Sequence, residues 1–202
     1  MKFKNIIFEK KDGVAKITLN RPDVMNALDD KTLEEMYAAC EDIENDISVR
    51  VAVVTATGRA FCTGADLTGI ANIPPDKPRD YFLRLWKKTF SAIENLSVPV
   101  IAEVNGIALA GGLELVMVCD LAIAADNVKM SDQHANRGLT PGGGASQRLP
   151  RLIGIRKAKE LLYTGDRITA AEAERLGLIK KAVPADKLEE ATNELVNKLL
   201  SK

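Results

Sequence analysis

Residues 100–125, VIAEVNGIALAGGLELVMVCDLAIAA, are the stretch from which the fold of this chain is best predicted. The apolar run 100–104 predicts a buried strand that ends in a turn. Ala110-Gly111-Gly112 then lead into an apolar segment, 113–119, which predicts a helix and contains a single acid, Glu114. Residues 121–124 predict a further strand. The stretch therefore indicates a strand, a glycine-rich turn, a buried helix and a second strand in succession.

The glycines before this helix predict a site for an anionic oxygen. Glycine lets an oxygen approach bare backbone N–H groups closely. The first N–H groups of a helix lack partners within the helix and lie at the positive end of its dipole, which favours a developing oxyanion. Glu114 comes about one turn after Gly111, so its side chain returns to the same place. A carboxylate in an apolar segment is costly, so Glu114 is predicted to be functional, with a structural salt bridge to an arginine as the alternative.

Composition narrows the class of protein. A chain of 202 residues with 46% hydrophobic and 28% charged residues predicts one sizeable globular domain. The 28 basic and 28 acidic residues balance, which argues against nucleic acid or an anionic membrane as a partner. Three cysteines without a Cys-x-x-Cys spacing predict neither a disulfide framework nor a metal site. Without a signal peptide or a span-length apolar run, we expect a cytoplasmic location and no membrane association.

Helices and strands alternate on both sides of the central stretch. Upstream, the patterns predict a hairpin (3–9 and 14–19), a helix from Asp29 or Asp30 to Ile47, a buried parallel strand (51–55), a loop (56–67), a mobile loop (70–78) and a helix (81–96). Downstream, they predict an irregular segment (130–140), helices at 145–152 and 155–163, a helix at 170–176 capped by Thr169 and closed by Gly177, a strand (179–183) and a last helix from Asp186. This order predicts an α/β fold with a largely parallel sheet.

Two glycine-containing loops follow predicted parallel strands. Gly64-Ala65-Asp66 comes after the strand 51–55, and Gly111-Gly112 comes after the strand 100–104. Ligands of open α/β sheets bind at the carboxyl ends of the strands. If the two loops meet, two N–H groups converge on one oxygen, as a thioester carbonyl that becomes an enolate requires. Glycine turns after strands are common, so this spacing alone is weak evidence.

Five sequence motifs are more specific than the spacing. They are NRPDVMNAL (20–28), AFCTGADL (60–67), NGIALAGGLELVMVCDLAIA (105–124), GLTPGGGASQRLPRLIG (138–154) and GDRITAAEAERLGLIKKAV (165–183). In this order and spacing they resemble the crotonase (enoyl-CoA hydratase/isomerase) superfamily, and enoyl-CoA hydratase most closely. The resemblance runs from about Phe8 to the end of the chain.

The resemblance implies a spiral of ββα units with a mostly parallel sheet, and assembly as trimers or as dimers of trimers. Family members usually continue beyond the last helix seen here, so the helical C-terminal part looks truncated. We expect a core domain over 1–185 and the start of a helical trimerisation region over 186–202. The implied ligand is an acyl-CoA thioester substrate, and no separate cofactor or metal is expected.

The resemblance also implies residue roles. The N–H groups of Ala65 and Gly111 would form the oxyanion hole, and losing one such donor typically costs about 2.7–4 kcal/mol of barrier. Glu114 matches the first catalytic glutamate of the hydratases, which holds and activates the water. Residues that would contact CoA or the acyl group are Val24, Ala27, Thr63, Gly64, Ala65, Asp66, Leu67, Gly111, Pro141 and Gly142.

One position departs from the hydratase pattern. Counting back from Gly138 and Pro141 places His134 where the hydratases have their second glutamate, which delivers a proton to C2. Imidazole can carry out acid–base chemistry near neutral pH. Asp132 is the alternative if the loop is shifted in register, and a surface histidine without a role is another.

The retained first glutamate favours hydration of a 2-enoyl-CoA to a 3-hydroxyacyl-CoA, or the reverse dehydration. The unusual second group suggests a cyclic or dienoyl substrate. A double-bond isomerase is the alternative reaction, and a non-catalytic protein that binds CoA thioesters is the alternative class. Three further side chains are predicted not to take part in the chemistry: Asp120 and Arg148 as structural partners, and Cys62 as a non-nucleophilic thiol.

Overall fold

The larger of two sheets contains the long apolar strands of the chain. In a computed structural model, which describes residues 3–68 and 80–202, the strands of this sheet are β1 (Ile6–Lys11), β2 (Val14–Leu19), β3 (Val51–Ala56), β5 (Val100–Val104), β7 (Leu121–Ala125) and β10 (Lys181–Val183). They lie side by side in the order β1-β2-β3-β5-β7-β10. Only β1 and β2 pair antiparallel, as the predicted hairpin, and the other pairs are parallel. The mobile loop predicted over 70–78 lies outside the described residues.

A second, smaller sheet has the order β4-β6-β8-β9. Its strands are β4 (Ala60–Cys62), β6 (Ile107–Leu109), β8 (Lys129–Ser131) and β9 (Ile168–Thr169). The sequence prediction was wrong here, since it gave a loop at β4, an irregular segment from residue 130, and no strand at β6 or β9. Strands of two or three residues are too short to show an alternating pattern, and they form only because distant partners pair with them.

The helices follow the strands in a repeating order. They are α1 (Asp30–Glu44), α2 (Tyr81–Glu94), α3 (Gly111–Val118), α4 (Ala145–Ile153), α5 (Ile155–Thr164), α6 (Ala170–Leu176) and α7 (Leu188–Leu200). Units such as β3-β4-α2, β5-β6-α3 and β7-β8-α4 each give their first strand to the large sheet and their second to the small sheet. The predicted α/β fold built from ββα units is therefore confirmed.

Helix ends agree with the capping residues read from the sequence. The side chain of Asp29 accepts a hydrogen bond from Thr32 N–H, and that of Thr169 accepts one from Glu172 N–H. Helix α1 nevertheless ends at Glu44, and Ile47, predicted to continue it, is fully exposed. Apolar spacing cannot show where a helix stops when the next apolar side chain lies in a turn.

Helix α2 buries part of the face that its spacing predicts, together with a row of aromatic side chains. The predicted face is Leu85, Lys88, Thr89, Ala92, Ile93 and Leu96. Thr89 and Ile93 are buried, but Lys88 is exposed, with its ammonium 3.6 Å from the ring centroid of Tyr37. The buried face consists of Phe82, Trp86, Thr89, Phe90 and Ile93. The aromatic side chains bury the most apolar area, so they determine which side of the helix faces the core.

The last helix, α7, lies against strands β3, β5 and β7 of the large sheet. Its Leu188, Leu195 and Val196 are buried. The division of the chain at residue 186 stays a prediction. Within residues 3–68 and 80–202, no helix has the length and apolar character that crossing a membrane requires.

Candidate active site

The two glycine loops come together in the structure. Leu28 N–H donates to Gly64 O at 2.8 Å, and Asp66 N–H donates to Leu28 O at 2.9 Å. These bonds hold the 63–67 loop in place without using the N–H of Ala65. A Cβ added to Gly64 would lie 3.0 Å from Gly111 N, so the second glycine loop contacts the first.

Two backbone donors line the same pocket. Within the described part of the chain, the N–H groups of Ala65 and Gly111 have no hydrogen-bond partner. Both residues line a cavity of about 340 Å³. Two unpaired N–H donors that face one cavity are the groups that an oxyanion site requires, because such donors stabilise an anionic oxygen.

The backbone that presents Gly111 is strained. Ala110, just before it, has φ +49° and ψ −119°, a region that residues with a side chain rarely adopt and that costs on the order of 1–3 kcal/mol. Its N–H donates to Ser131 O at 2.9 Å, which ties the turn to strand β8. A Cβ on Gly111 would lie 2.3 Å from the ring of Trp86, so only glycine fits at the first residue of α3.

Glu114 is only 1% exposed, and backbone donors hold one of its oxygens. Oε1 accepts hydrogen bonds from Gly143 N–H at 2.8 Å and from Ala145 N–H, at the start of α4, at 3.0 Å. The alternative of a salt bridge to an arginine is wrong, since no arginine of the described chain pairs with Glu114. Burial raises the pKa of the Glu114 carboxyl above its usual value, against the lowering effect of these bonds.

The loop that carries Gly143 is braced from outside the pocket. Arg148 Nη1 donates to Gly143 O at 2.8 Å, and its Nε donates to Glu94 Oε1 at 2.7 Å.

Asp120 contacts strand β5, where its carboxylate accepts a hydrogen bond from Val100 N–H at 2.8 Å. Arg148 and Asp120 thus make structural contacts of the kind expected from the sequence.

His134 lies beside Glu114. Its Nε2 is 3.9 Å from Glu114 Oε2, and its Nδ1 is 3.0 Å from Asp132 Oδ1. Burial lowers the pKa of His134, but the hydrogen bond and charge of Asp132, with the charge of Glu114, more than offset this, so the pKa lies above its ordinary value. The His134 ring therefore lies between two carboxylates and is not a surface side chain without contacts.

Apolar side chains form most of the remaining pocket wall. The lining residues are Ala65, Leu67, Phe82, Leu83, Trp86, Gly111, Glu114, His134, Leu139, Thr140, Gly142 and Gly143. The sequence prediction missed six of them: Phe82, Leu83, Trp86, Leu139, Thr140 and Gly143. The recurrence of aromatic residues at every fourth position, 82, 86 and 90, was the signal that could have identified the α2 face.

Six of the predicted CoA-contacting residues, Gly64 among them, lie outside this lining. Val24 is 43% exposed, and Ala27 is half-buried on the same segment. Thr63 joins that segment to the next loop by donating to Met25 O at 3.3 Å, and Asp66 pairs with Arg21 at 3.0 Å. Pro141 is half-buried and directly precedes Gly142. Val24, Ala27, Thr63 and Asp66 thus lie on two joined segments next to the pocket.

The thiol beside the pocket is not set up as a nucleophile. Cys62 is fully buried, and burial raises its pKa to about 12, against the lowering effect of the bond from Gly64 N–H. A thiol with that pKa stays protonated at neutral pH. In the residues that the structure describes, no cluster of acidic, histidine or cysteine side chains could bind a metal ion.

Comparison with known proteins agrees with this geometry. The sequence profile of the family described as enoyl-CoA hydratase/isomerase matches residues 9–202. This chain belongs to the enoyl-CoA hydratase/isomerase family. The resemblance read from the five motifs is thereby confirmed, and the chain is an enoyl-CoA hydratase-like lyase.

Individual members of the family are similar over almost the whole chain. The crotonyl-CoA hydratase of Syntrophomonas wolfei is 43% identical over 100% of this chain and 78% of its own length. The short-chain-enoyl-CoA hydratase of Clostridium acetobutylicum is 41% identical over 100% of this chain and 77% of its own. The crystal structure of enoyl-CoA hydratase from Bacillus anthracis superposes with a TM-score of 0.93 at 40% identity, covering 98% of this chain and 78% of that one.

Proposed function

We propose that the chain catalyses the reversible hydration of a 2-enoyl-CoA to a 3-hydroxyacyl-CoA. One observation carries the proposal: two unpartnered backbone N–H groups, a buried carboxylate and an imidazole line the same pocket. The names of the similar proteins, a crotonyl-CoA hydratase and a short-chain-enoyl-CoA hydratase, support it.

The N–H groups of Ala65 and Gly111 receive the thioester oxygen. As water adds to C3, the electrons of the C2=C3 double bond move towards this oxygen and form an enolate. Two fixed donors in an apolar pocket stabilise that charge more strongly than the neutral carbonyl, which lowers the barrier. The strained turn at Ala110 keeps the Gly111 donor in place before substrate binds.

Glu114 and His134 supply and remove protons. Glu114 takes a proton from the water as its oxygen bonds to C3, and His134 gives a proton from Nε2 to C2. The acid and base atoms lie 3.9 Å apart, a spacing that suits adjacent carbons approached from the same face. The proton then passes from Glu114 to His134, which restores both groups.

The acyl chain and CoA occupy different surfaces. The apolar wall around Phe82, Leu83 and Leu139 suits the acyl chain. The segments containing Val24, Ala27 and Thr63 adjoin the pocket and are proposed to contact CoA. A cyclic or dienoyl acyl group remains the substrate hypothesis suggested by His134. Turnover of crotonyl-CoA that is far faster than that of cyclic or dienoyl-CoAs would contradict it.

The test is steady-state hydration of crotonyl-CoA and of dienoyl- and cyclic enoyl-CoAs by the parent chain and by Glu114→Gln and His134→Ala. We expect each variant to lose at least about a hundredfold in kcat, as general acid–base groups contribute. Glu103→Gln is the matched control, because Glu103 is a buried acid paired with Lys16 and is not in the pocket lining. Full activity in Glu114→Gln would contradict the proposal.

The same panel, with a 3-enoyl-CoA added, separates the alternatives. Faster conversion of a 3-enoyl-CoA than hydration of a 2-enoyl-CoA would make the chain an isomerase. Binding of CoA thioesters without turnover of any of them would favour a non-catalytic role. Assembly as a trimer or a dimer of trimers is part of the proposal, and light scattering at several concentrations would test it.

A further inference from the structure

Asp132 is a buried carboxylate that touches the proposed acid. It follows strand β8 directly and is 1% exposed. Its Oδ1 lies 3.0 Å from His134 Nδ1 and 3.4 Å from His134 N, and its Oδ2 has no hydrogen-bond partner among the described residues. Burying a charged group is costly unless a partner compensates it, and His134 is the partner that Asp132 contacts.

The backbone brings the two side chains together. Gln133, between them, has φ +56°, which folds the chain back over a single residue. Gln133 Nε2 donates to Ser131 Oγ and to Gly165 O, at 2.9 and 2.8 Å, so this bend is anchored on both sides. The Asp132–His134 contact is thus built into the loop.

The chemistry of the pair determines which ring nitrogen carries the proton. An ionised carboxylate can only accept hydrogen bonds, so Nδ1 must donate. The remaining nitrogen, Nε2, is then the atom that faces Glu114 at 3.9 Å. A neutral ring with this tautomer has a free lone pair at Nε2, and a protonated ring has a proton there.

We infer that Asp132 is a positioning residue, which holds His134 so that Nε2 alone exchanges protons with the pocket. The inference rests on the proposed hydration and deepens it. His134 gives its Nε2 proton to C2 and takes a proton back from Glu114, while its Nδ1 proton stays on the ring and donates to Asp132. Asp132 never receives the proton, because it acts through the orientation and charge of the ring. Asp132 therefore acts on His134 and does not replace it as the acid.

Charges around the ring come from two elements. Asp132 belongs to the loop of His134 itself, and Glu114 belongs to α3. Helix α5 packs against the 135–137 turn, but neither its charged side chains (Arg156, Lys157, Lys159, Glu160) nor Arg137 contacts the ring among the described residues. Removing the Asp132 charge therefore leaves Glu114 as the one anion in contact with His134 within the described chain.

The test uses the fact that His134 is the only histidine of the chain. Nitrogen-15 NMR of the parent chain is expected to show the neutral ring protonated at Nδ1 and a titration midpoint above pH 6.5. In Asp132→Asn, the midpoint is expected to fall by about one pH unit or more, as loss of a contacting opposite charge requires. The alkaline limb of the pH profile of kcat/KM should move to lower pH by the same amount, while KM changes little.

Glu103→Gln is the control for structural damage, because it removes the charge of another buried acid, which pairs with Lys16 and lies outside the pocket lining. It should lower thermal stability but leave the titration of His134 in place. A midpoint in Asp132→Asn equal to that of the parent would overturn the inference. So would an Nε2-protonated neutral ring in the parent chain, a result that needs no variant to fold. NMR does not depend on turnover. If the parent chain is inactive, that result counts against the proposed hydration, while the NMR titration still decides whether Asp132 positions His134.

Discussion

The N–H of Gly143 donates a 2.8 Å hydrogen bond to Oε1 of Glu114, which ties the glycine-rich loop before α4 to the one acid of α3. The contact leaves no room for a side chain at 143. A Cβ there would lie 2.5 Å from Glu114 Oε2 and 2.4 Å from Trp86 Nε1. The loop therefore both fixes the carboxylate and keeps the space beside it open.

Gly143→Ala is expected to lower hydration by at least tenfold, because the added methyl displaces the oxygen that acts as base. Gly142→Ala should cost much less, since its Cβ would meet only the flexible end of Leu83 at 3.4 Å. Comparison of kcat for the two variants, with circular dichroism as a folding check, tests the prediction. Equal losses would show that the loop as a whole, rather than the space beside Glu114, matters.

Activity should follow a bell-shaped pH profile. Burial raises the pKa of Glu114, so the base is lost at a higher pH on the acid side than for an exposed glutamate. The Asp132 and Glu114 charges raise the pKa of His134 despite its burial, so the acid is lost only above pH 6.5. The pH dependence of kcat/KM in the parent chain measures both limbs. An alkaline limb below pH 6.5 would contradict the assignment of His134 as the acid.

The cysteines should be inert in the folded chain. All three are buried, and burial raises the pKa of Cys40 and of Cys62 to about 12 and that of Cys119 further. We expect Ellman's reagent to label none of them at pH 8 until denaturant is added. Cys62→Ala should retain most of the hydratase activity. A rapidly labelled thiol whose modification stops turnover would reopen the question of a cysteine role.

Glu35 should contribute more to stability than its position on a helix suggests. Its buried carboxylate accepts hydrogen bonds from the N–H groups of Lys4, Asn5 and Ile6, at 2.9, 2.7 and 3.2 Å. Glu35→Gln puts an amide NH2 against a backbone donor, so the free energy of unfolding should fall by about 2–3 kcal/mol. The exposed neighbour Glu34→Gln is the control and should change it by less than about 0.5 kcal/mol. Urea denaturation of both variants measures the difference.

Local sequence signals predicted the elements that depend on neighbouring residues. The run 100–104 became β5, the helix with Glu114 became α3, and Asp29 and Thr169 cap the helices assigned to them. These features depend on apolar runs and on hydrogen bonds within a few residues. They could be read from the sequence because the atoms concerned are close along the chain.

The strands of the small sheet and half of the pocket lining could not be read in that way. Strand β4 pairs with β6 across more than forty residues, and Trp86 fits against Gly111 and Gly143 only after three separate segments have packed. The sequence alone determined the family, the α/β order and the candidates Glu114 and His134. Only the tertiary structure decided that Gly143 holds Glu114 and that Asp132 contacts His134. Spacing along a chain does not specify which side-chain atoms come within hydrogen-bonding distance, because that depends on how distant segments pack.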